Sequence, residues 1–238
     1  TDTAASSITT NQISGWPQGP EITSEAAVIL EDSTGTTLYA KNMDEVLYPG
    51  STVKIMTCLL ALENTQLTDE VTMTATGVSG VTDGGASISS QVDEVFTVEQ
   101  CLYAIMVASA NDIALQIAEH VGGSVDGFVQ QMNTRAQELG CTNTVFTNPT
   151  GLPDDNQHTT AHDMALIMQA AIQNESFRTI AAATSYTIPA TNKAAARNLT
   201  SKFTMTDTGS TGFYEGCIGG KEGYTEASGS TLVCAAQR

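Results

Sequence analysis

The chain has 238 residues, 41% hydrophobic and 15% charged, enough apolar material for one larger domain or two small ones and too much for a disordered chain. Nine basic residues against 26 acidic ones leave a formal charge of −17, a field that repels phosphate backbones and anionic lipid, so no nucleic-acid partner is expected. No stretch approaches the roughly 20 apolar residues that span a bilayer, and Thr1-Asp2-Thr3-Ala4-Ala5 lacks the basic and apolar regions of a signal peptide, so a mature or trimmed soluble piece is expected, with no membrane anchor in this stretch.

Residues 1–22 are rich in Ser, Thr, Asn, Gln, Gly and Pro and read as a polar leader, with Trp16 as the side chain expected to dock it. Residues 26–31 then read as a buried strand, 32–35 as a turn and 37–40 as a second strand, which makes a hairpin. The turn signal Pro49-Gly50 runs into a core helix in which Val53, Ile55, Met56, Leu59, Leu60 and Leu62 form an apolar stripe. Ser51 and Lys54 stand three residues apart on the first turn of that helix, where a lysine amine can reach a serine hydroxyl. A serine hydroxyl is a poor nucleophile until something removes its proton, and a lysine desolvated against apolar neighbours loses enough basicity to do so. The free N–H groups at that helix end favour developing negative charge. Alone, the pattern is short and common, and reads more readily as an N-cap beside a solvated charge.

Residues 67–97 lack long periodicity and read as short strands and loops. Thr97 and Gln100 make a capping box that opens a helix over 101–108. It ends at a polar corner, Ser109-Ala110-Asn111, and a second helix starts at Asp112 and stops at Gly122-Gly123. Ser and Asn between two buried helices either cap helix ends or point into a cavity. A further helix over 124–139 closes at Gly140, a loop follows over 148–155, and Thr160 with Asp163 caps another helix. Residues 186–189 read as an edge strand, and the chain ends in a hairpin from about Gly219, turning near Ser228-Gly229 and returning over 230–236. Glycines on both sides of Lys221 indicate that something approaches that backbone closely.

Five cysteines, Cys58, Cys101, Cys141, Cys217 and Cys234, are scattered singly, and an odd count leaves at least one thiol unpaired within the chain. With no Cys-x-x-Cys or His-Glu-x-x-His pattern, no metal site is expected, and His158 and His162 read as structural polar residues.

Ser51-x-x-Lys54, Ser109-x-Asn111 and Lys221-Glu222-Gly223 stand in the order of the three motifs of serine penicillin-recognising enzymes. The segments 38–42 (Leu-Tyr-Ala-Lys-Asn), 118–125 and 148–153 (Asn-Pro-Thr-Gly-Leu-Pro) add to a resemblance, over about residues 25–238, to the serine-type D-alanyl-D-alanine carboxypeptidases, the low-molecular-mass penicillin-binding proteins. The resemblance implies an α/β (α+β) fold of the β-lactamase/transpeptidase-like kind. A mainly antiparallel sheet, from about 23–64 and 200–238, is flanked by helices and joined by a mainly helical lobe at about 65–199, with the active site between them. Residues 23–238 are thus expected to form a single penicillin-binding catalytic domain.

The same resemblance implies an enzyme of the bacterial cell envelope, extracytoplasmic, acting without metal or organic cofactor on peptidoglycan stem peptides ending in D-Ala-D-Ala, with β-lactams as covalent inhibitors. Ser51 would attack and become acylated, neutral Lys54 would act as general base, Ser109 would relay the proton to the leaving amine, and Asn111 would hold Lys54 and the substrate amide. Backbone N–H groups of Ser51 and Tyr224 would hold the oxyanion, Lys221 would face the substrate's terminal carboxylate, and Glu222, Gly223, Tyr224 and Thr225 would line the substrate. Class A β-lactamases share these motifs but carry a deacylating glutamate in a Glu-x-x-Leu-Asn pattern, and this chain has no Leu-Asn dipeptide and has Ala110 where they have aspartate.

Two departures from the family pattern remain. Glu222 replaces a threonine, and two like charges at roughly 4 Å cost about 1 kcal/mol in water and several in a partly desolvated cleft, which is roughly tenfold or more in affinity for a carboxylate. The family also continues past the Cys234 strand into a further sheet strand and a terminal helix, so another segment is expected to fill that place, or the chain is a truncated piece. The rival expectation is a muropeptide- or β-lactam-binding module of the same fold with weak or no turnover.

Overall fold

Helix α1 (Lys54–Asn64) is apolar nearly all round, and its residues are buried from Lys54 through Ala61. A helix of that kind has no face to give to water and must be wrapped by neighbours. The computed structural model describes residues 9–81 and 85–238 and shows that wrapping: α3 (Val98–Val107), α4 (Asn111–Gly122), α5 (Val125–Glu138), α6 (Ala161–Ala171) and α7 (Glu175–Ala181) all pack against α1. A short helix, α2 (Ala75–Ser79), leans on α4. The core between them includes Ile55, Leu59, Phe96, Leu102, Ile105, Ile113, Phe128 and Phe177, each at most 3% exposed. Truncating one of the larger of these to alanine costs about 2–5 kcal/mol, because a close-packed interior cannot collapse around the cavity.

The helix starts follow their capping chemistry. Thr97 and Gln100 exchange the reciprocal bonds of a capping box, Ser124 accepts from the Gly127 N–H, and Thr160 accepts from the Asp163 N–H. Each side chain satisfies an N–H that the first helical turn leaves without an intrahelical partner.

All strand pairs are antiparallel: β1 (Ala27–Leu30) with β2 (Thr37–Lys41), β3 (Glu70–Thr72) with β4 (Val95–Thr97), β5 (Ser185–Ile188) with β6 (Arg197–Thr200), and β7 (Cys217–Thr225) with β8 (Gly229–Ala236). The fold class expected from the resemblance holds, with two differences of detail. The expected sheet from the two ends of the chain is present as two separate hairpins, β1–β2 and β7–β8, both resting on α6. A two-stranded ribbon is marginal by itself, and the helix beneath supplies the apolar partner it needs. The helical lobe also contains four short strands, β3 to β6, tied by Glu94 just before β4, whose buried carboxylate receives two bonds from Arg197 on β6 at 2.8 and 2.9 Å.

Residues 1–8 of the expected leader, and 82–84 of the expected strand-and-loop region, lie outside the described residues. The leader from Thr9 onward is laid along β2. Thr10 Oγ1 donates to the Ala40 carbonyl at 3.2 Å and accepts from the Ala40 N–H at 3.1 Å, and Tyr39 donates to the Pro20 carbonyl. Trp16, the expected anchor, is 38% exposed. Docking proceeds through the polar atoms of an edge strand, which must find partners somewhere, and not through the indole.

Candidate active site

Ser51 lies in a 3-10 turn, Gly50–Val53, that leads straight into α1. The three-residue repeat of that turn places Ser51 and Lys54 above one another, and the serine Oγ lies 3.3 Å from the lysine Nζ. Lys54 is fully buried, and its Nζ donates to Asn111 Oδ1 at 2.7 Å and to the Thr150 carbonyl at 2.5 Å. Burial, and secondarily the positive charge of Lys221, bring its pKa down from 10.5 to about 7; Cys58 and Glu222 act weakly the other way. A neutral amine has two N–H donors and one lone pair. With the donors spent on Asn111 and Thr150, the lone pair is left for the Ser51 hydroxyl proton, which is the arrangement a general base requires.

Three chain segments hold this geometry. At the corner between α3 and α4, Ser109 adopts a left-handed backbone with φ 56°, a conformation that costs a residue with a Cβ about 1–2 kcal/mol. The corner is locked from both sides: the Ala110 N–H reaches the Ala104 carbonyl, the Asn111 N–H reaches Ala86, and Asp112 accepts from Ser87 and Ser90. Asn111 is thereby the first residue of α4, one place earlier than the sequence indicates, with its amide aimed at Lys54. The Ser109 hydroxyl is partly buried and makes no hydrogen bond among the described residues.

The second segment is the loop at 148–152. Asn148 Oδ1 accepts from the N–H groups of Thr150 and Gly151 and from the Thr150 hydroxyl, and this Asx-type turn sets the Thr150 carbonyl towards Lys54. Thr57 of α1 pins the loop by donating to the Pro149 carbonyl at 2.8 Å. Gly151 has φ 83°, and a Cβ there would stand 1.9 Å from the Gly50 carbonyl oxygen, so no other residue fits. Sequence reasoning placed a loop here and quoted it in the resemblance, but missed Thr150, Asn148 and Thr57 as supports of Lys54; the Asn-Pro-Thr-Gly turn signal was the available clue.

The third segment is β7. A Cβ on Gly223 would lie 2.7 Å from the Ser51 backbone N, so the strand passes directly against Ser51. Lys221 is fully buried, and its Nζ donates to its neighbour's carbonyl, Glu222 O, at 2.9 Å and to Glu222 Oε1 at 2.8 Å. Burial lowers the Lys221 pKa and the Glu222 carboxylate works against that. The second carboxylate oxygen, Oε2, is buried with no partner among the described residues. Tyr224 is 73% exposed, and the Thr225 hydroxyl is committed to Ser228 in the hairpin turn. The structure therefore gathers Ser51, Lys54 and Asn111 by direct contact and brings β7 against them at Gly223; Lys221 and Glu222 act on Lys54 through charge, and the side chains of Tyr224 and Thr225 are not drawn into the cluster.

Among the described residues no group of three His, Cys, Asp or Glu side chains could hold a metal ion, and the five cysteines are free thiols. His162 meets Asp44 at 3.2 Å, and His158 lies in a backbone bridge with Val145.

Residues 13–238 match the family described as D-alanyl-D-alanine carboxypeptidase. The chain is similar to the D-alanyl-D-alanine carboxypeptidase DacF of Bacillus subtilis, 36% identical over 90% of this chain and 54% of that protein. It is also similar to a D-alanyl-D-alanine carboxypeptidase of Mycobacterium tuberculosis, 32% identical over 93% of this chain and 72% of that one. The chain thus spans about half the length of the Bacillus relative. Among solved structures, a Streptomyces DD-transpeptidase superposes with a TM-score of 0.85 at 29% identity, covering 93% of this chain and 88% of that one.

Proposed function

The chain belongs to the D-alanyl-D-alanine carboxypeptidase family, and from that premise we propose that it is a serine acyl-transfer enzyme that cleaves the terminal D-Ala-D-Ala bond of peptidoglycan stem peptides. The observation that carries the reading is the buried Lys54, its two donors engaged by Asn111 and Thr150 and its nitrogen 3.3 Å from the Ser51 hydroxyl. Lys54 takes the Ser51 proton as Oγ attacks the carbonyl carbon of the first D-Ala. The C–N bond to the second D-Ala then breaks, the leaving amine collects the proton by way of Ser109, and water hydrolyses the ester on Ser51. Developing negative charge on the carbonyl oxygen is met by the N–H of Ser51 and by the N–H of Tyr224, one residue beyond the Gly223 contact.

Residues 23–238 act in this reading as one catalytic domain, working outside the cytoplasm, where its substrate is. No helix among the described residues is long and apolar enough to cross a membrane. The ring carbonyl of a β-lactam presents Ser51 with the same target, so penicillin is expected to acylate it and to leave slowly.

Intact-mass spectrometry after incubation with benzylpenicillin tests the reading. A penicilloyl adduct on the native chain, absent from folded Ser51→Ala, is the expected result. No adduct on the folded native chain overturns acyl transfer and leaves the binding-module alternative.

A further inference from the structure

Lys221 is a fully buried cation whose charge is already answered inside the chain, by Glu222 Oε1 at 2.8 Å. Adjacent residues of a strand ordinarily face opposite ways, so this pairing requires the long lysine side chain to curl back along β7, where its Nζ also meets the Glu222 carbonyl. The carboxylate is not saturated by that pairing. Its Oε2 is buried without a partner among the described residues, while the Glu222 side chain keeps 26% of its surface exposed. A buried acceptor in that condition is relieved by a hydrogen-bond donor and aggravated by a second anion.

We propose that Glu222 is a specificity-determining residue that turns the leaving-group side of the cleft away from a free terminal carboxylate and towards D-alanyl-D-alanine bonds whose second residue ends in an N–H donor, as a carboxamide or a continuing peptide does. The inference rests on the acyl-transfer reading and shifts its preferred substrate from the free-acid D-Ala-D-Ala terminus to an amidated or continuing one. An incoming carboxylate drawn to Lys221 meets the like charge of Glu222 in a partly desolvated site. A neutral amide brings an N–H for Oε2 and no charge. The chemical step is unaltered: the Ser51 Oγ–carbon bond forms, the carbon–nitrogen bond to the second residue breaks, and the proton reaches the leaving nitrogen. Glu222 touches only the far end of the departing residue, so it changes which peptide is held and not how the bond is cut.

The test separates binding from chemistry. In the full chain carrying Ser51→Ala, titration calorimetry compares diacetyl-L-lysyl-D-Ala-D-Ala with the same peptide as its C-terminal amide. The amide is expected to bind at least tenfold more tightly, which is about 1.4 kcal/mol. Adding Glu222→Thr is expected to erase or invert that preference, and Glu222→Gln, equal in size and uncharged, to fall between; thermal melts report that each variant is folded. Equal or tighter binding of the free acid, a preference that neither substitution moves, or no saturable binding of the amide overturns the proposal. Failure of the acyl-transfer reading shows elsewhere, as a missing penicilloyl adduct on a chain that retains Ser51.

Discussion

Lys54 and Lys221 are both fully buried and feel each other's charge, one on the helical wall of the site and one on its strand wall, yet the two walls treat them differently. On the helical wall Lys54 meets only neutral acceptors, an amide oxygen and a main-chain carbonyl, and burial is free to strip it of its proton near neutral pH. On the strand wall burial lowers the Lys221 pKa too, but there a carboxylate works against it by favouring the charge. One residue type is pushed towards the neutral amine in one place and held towards its charged form in the other, because of what its nitrogen touches.

The contrast is broken most severely by Lys54→Arg. Guanidinium stays charged at any working pH, so acylation of Ser51 by penicillin is expected to fall by about 10²–10⁴, the range general-base catalysis supplies, as read by stopped-flow or adduct-formation rates. Lys221→Met attacks the other wall and leaves Glu222 without its partner. Losing one member of a buried pair costs about 3–5 kcal/mol, and because the Glu222 side chain is 26% exposed a discounted loss of about 2–3 kcal/mol is expected in urea denaturation. Adding Glu222→Gln should recover most of it; if the double variant is no more stable than Lys221→Met, the pair is not what was lost.

A pH profile sharpens the comparison. Only neutral Lys54 accepts the serine proton, so the acylation rate should climb with pH through about 7 and be lost as the amine protonates below it. Glu222→Gln removes a negative charge that favours protonated Lys54, so the midpoint should drop; Lys221→Met removes a positive charge that disfavours it, so the midpoint should rise. Movement of both in one direction would show that the two walls do not communicate by charge. The smallest effect is expected away from the cleft: Thr97→Ala deletes the α3 capping box for about 1 kcal/mol of stability and no change in acylation rate.

The parts of the fold written in local chemistry were legible from the residues. The Thr97–Gln100 box, the Thr160 cap and the turn at Gly229 occur where their side chains and backbones demand. The Ser51–Lys54 contact is likewise local, set by three residues of a helical turn. The helix α7, the strand β6 and the short helix α2 were not legible, because four to seven residues are too few for a period to emerge and tertiary packing selects them. Trp16 misled because aromatic bulk predicts burial only on average, and here the edge of β2 offered polar atoms to a threonine instead. Nor could the pairing of Lys221 with Glu222 be anticipated, since strand alternation puts neighbours on opposite faces.

The oxygen of Thr150 that grips Lys54 belongs to the main chain. No codon change at position 150 can delete a carbonyl, so the grip is insulated from direct mutation in a way that an aspartate or glutamine in the same place would not be. The exposure to genetic damage moves to residues that shape the turn. Asn148, which accepts three hydrogen bonds there, and Gly151, which has no room for a methyl group, are where random mutagenesis should find loss of penicillin binding without touching a catalytic side chain.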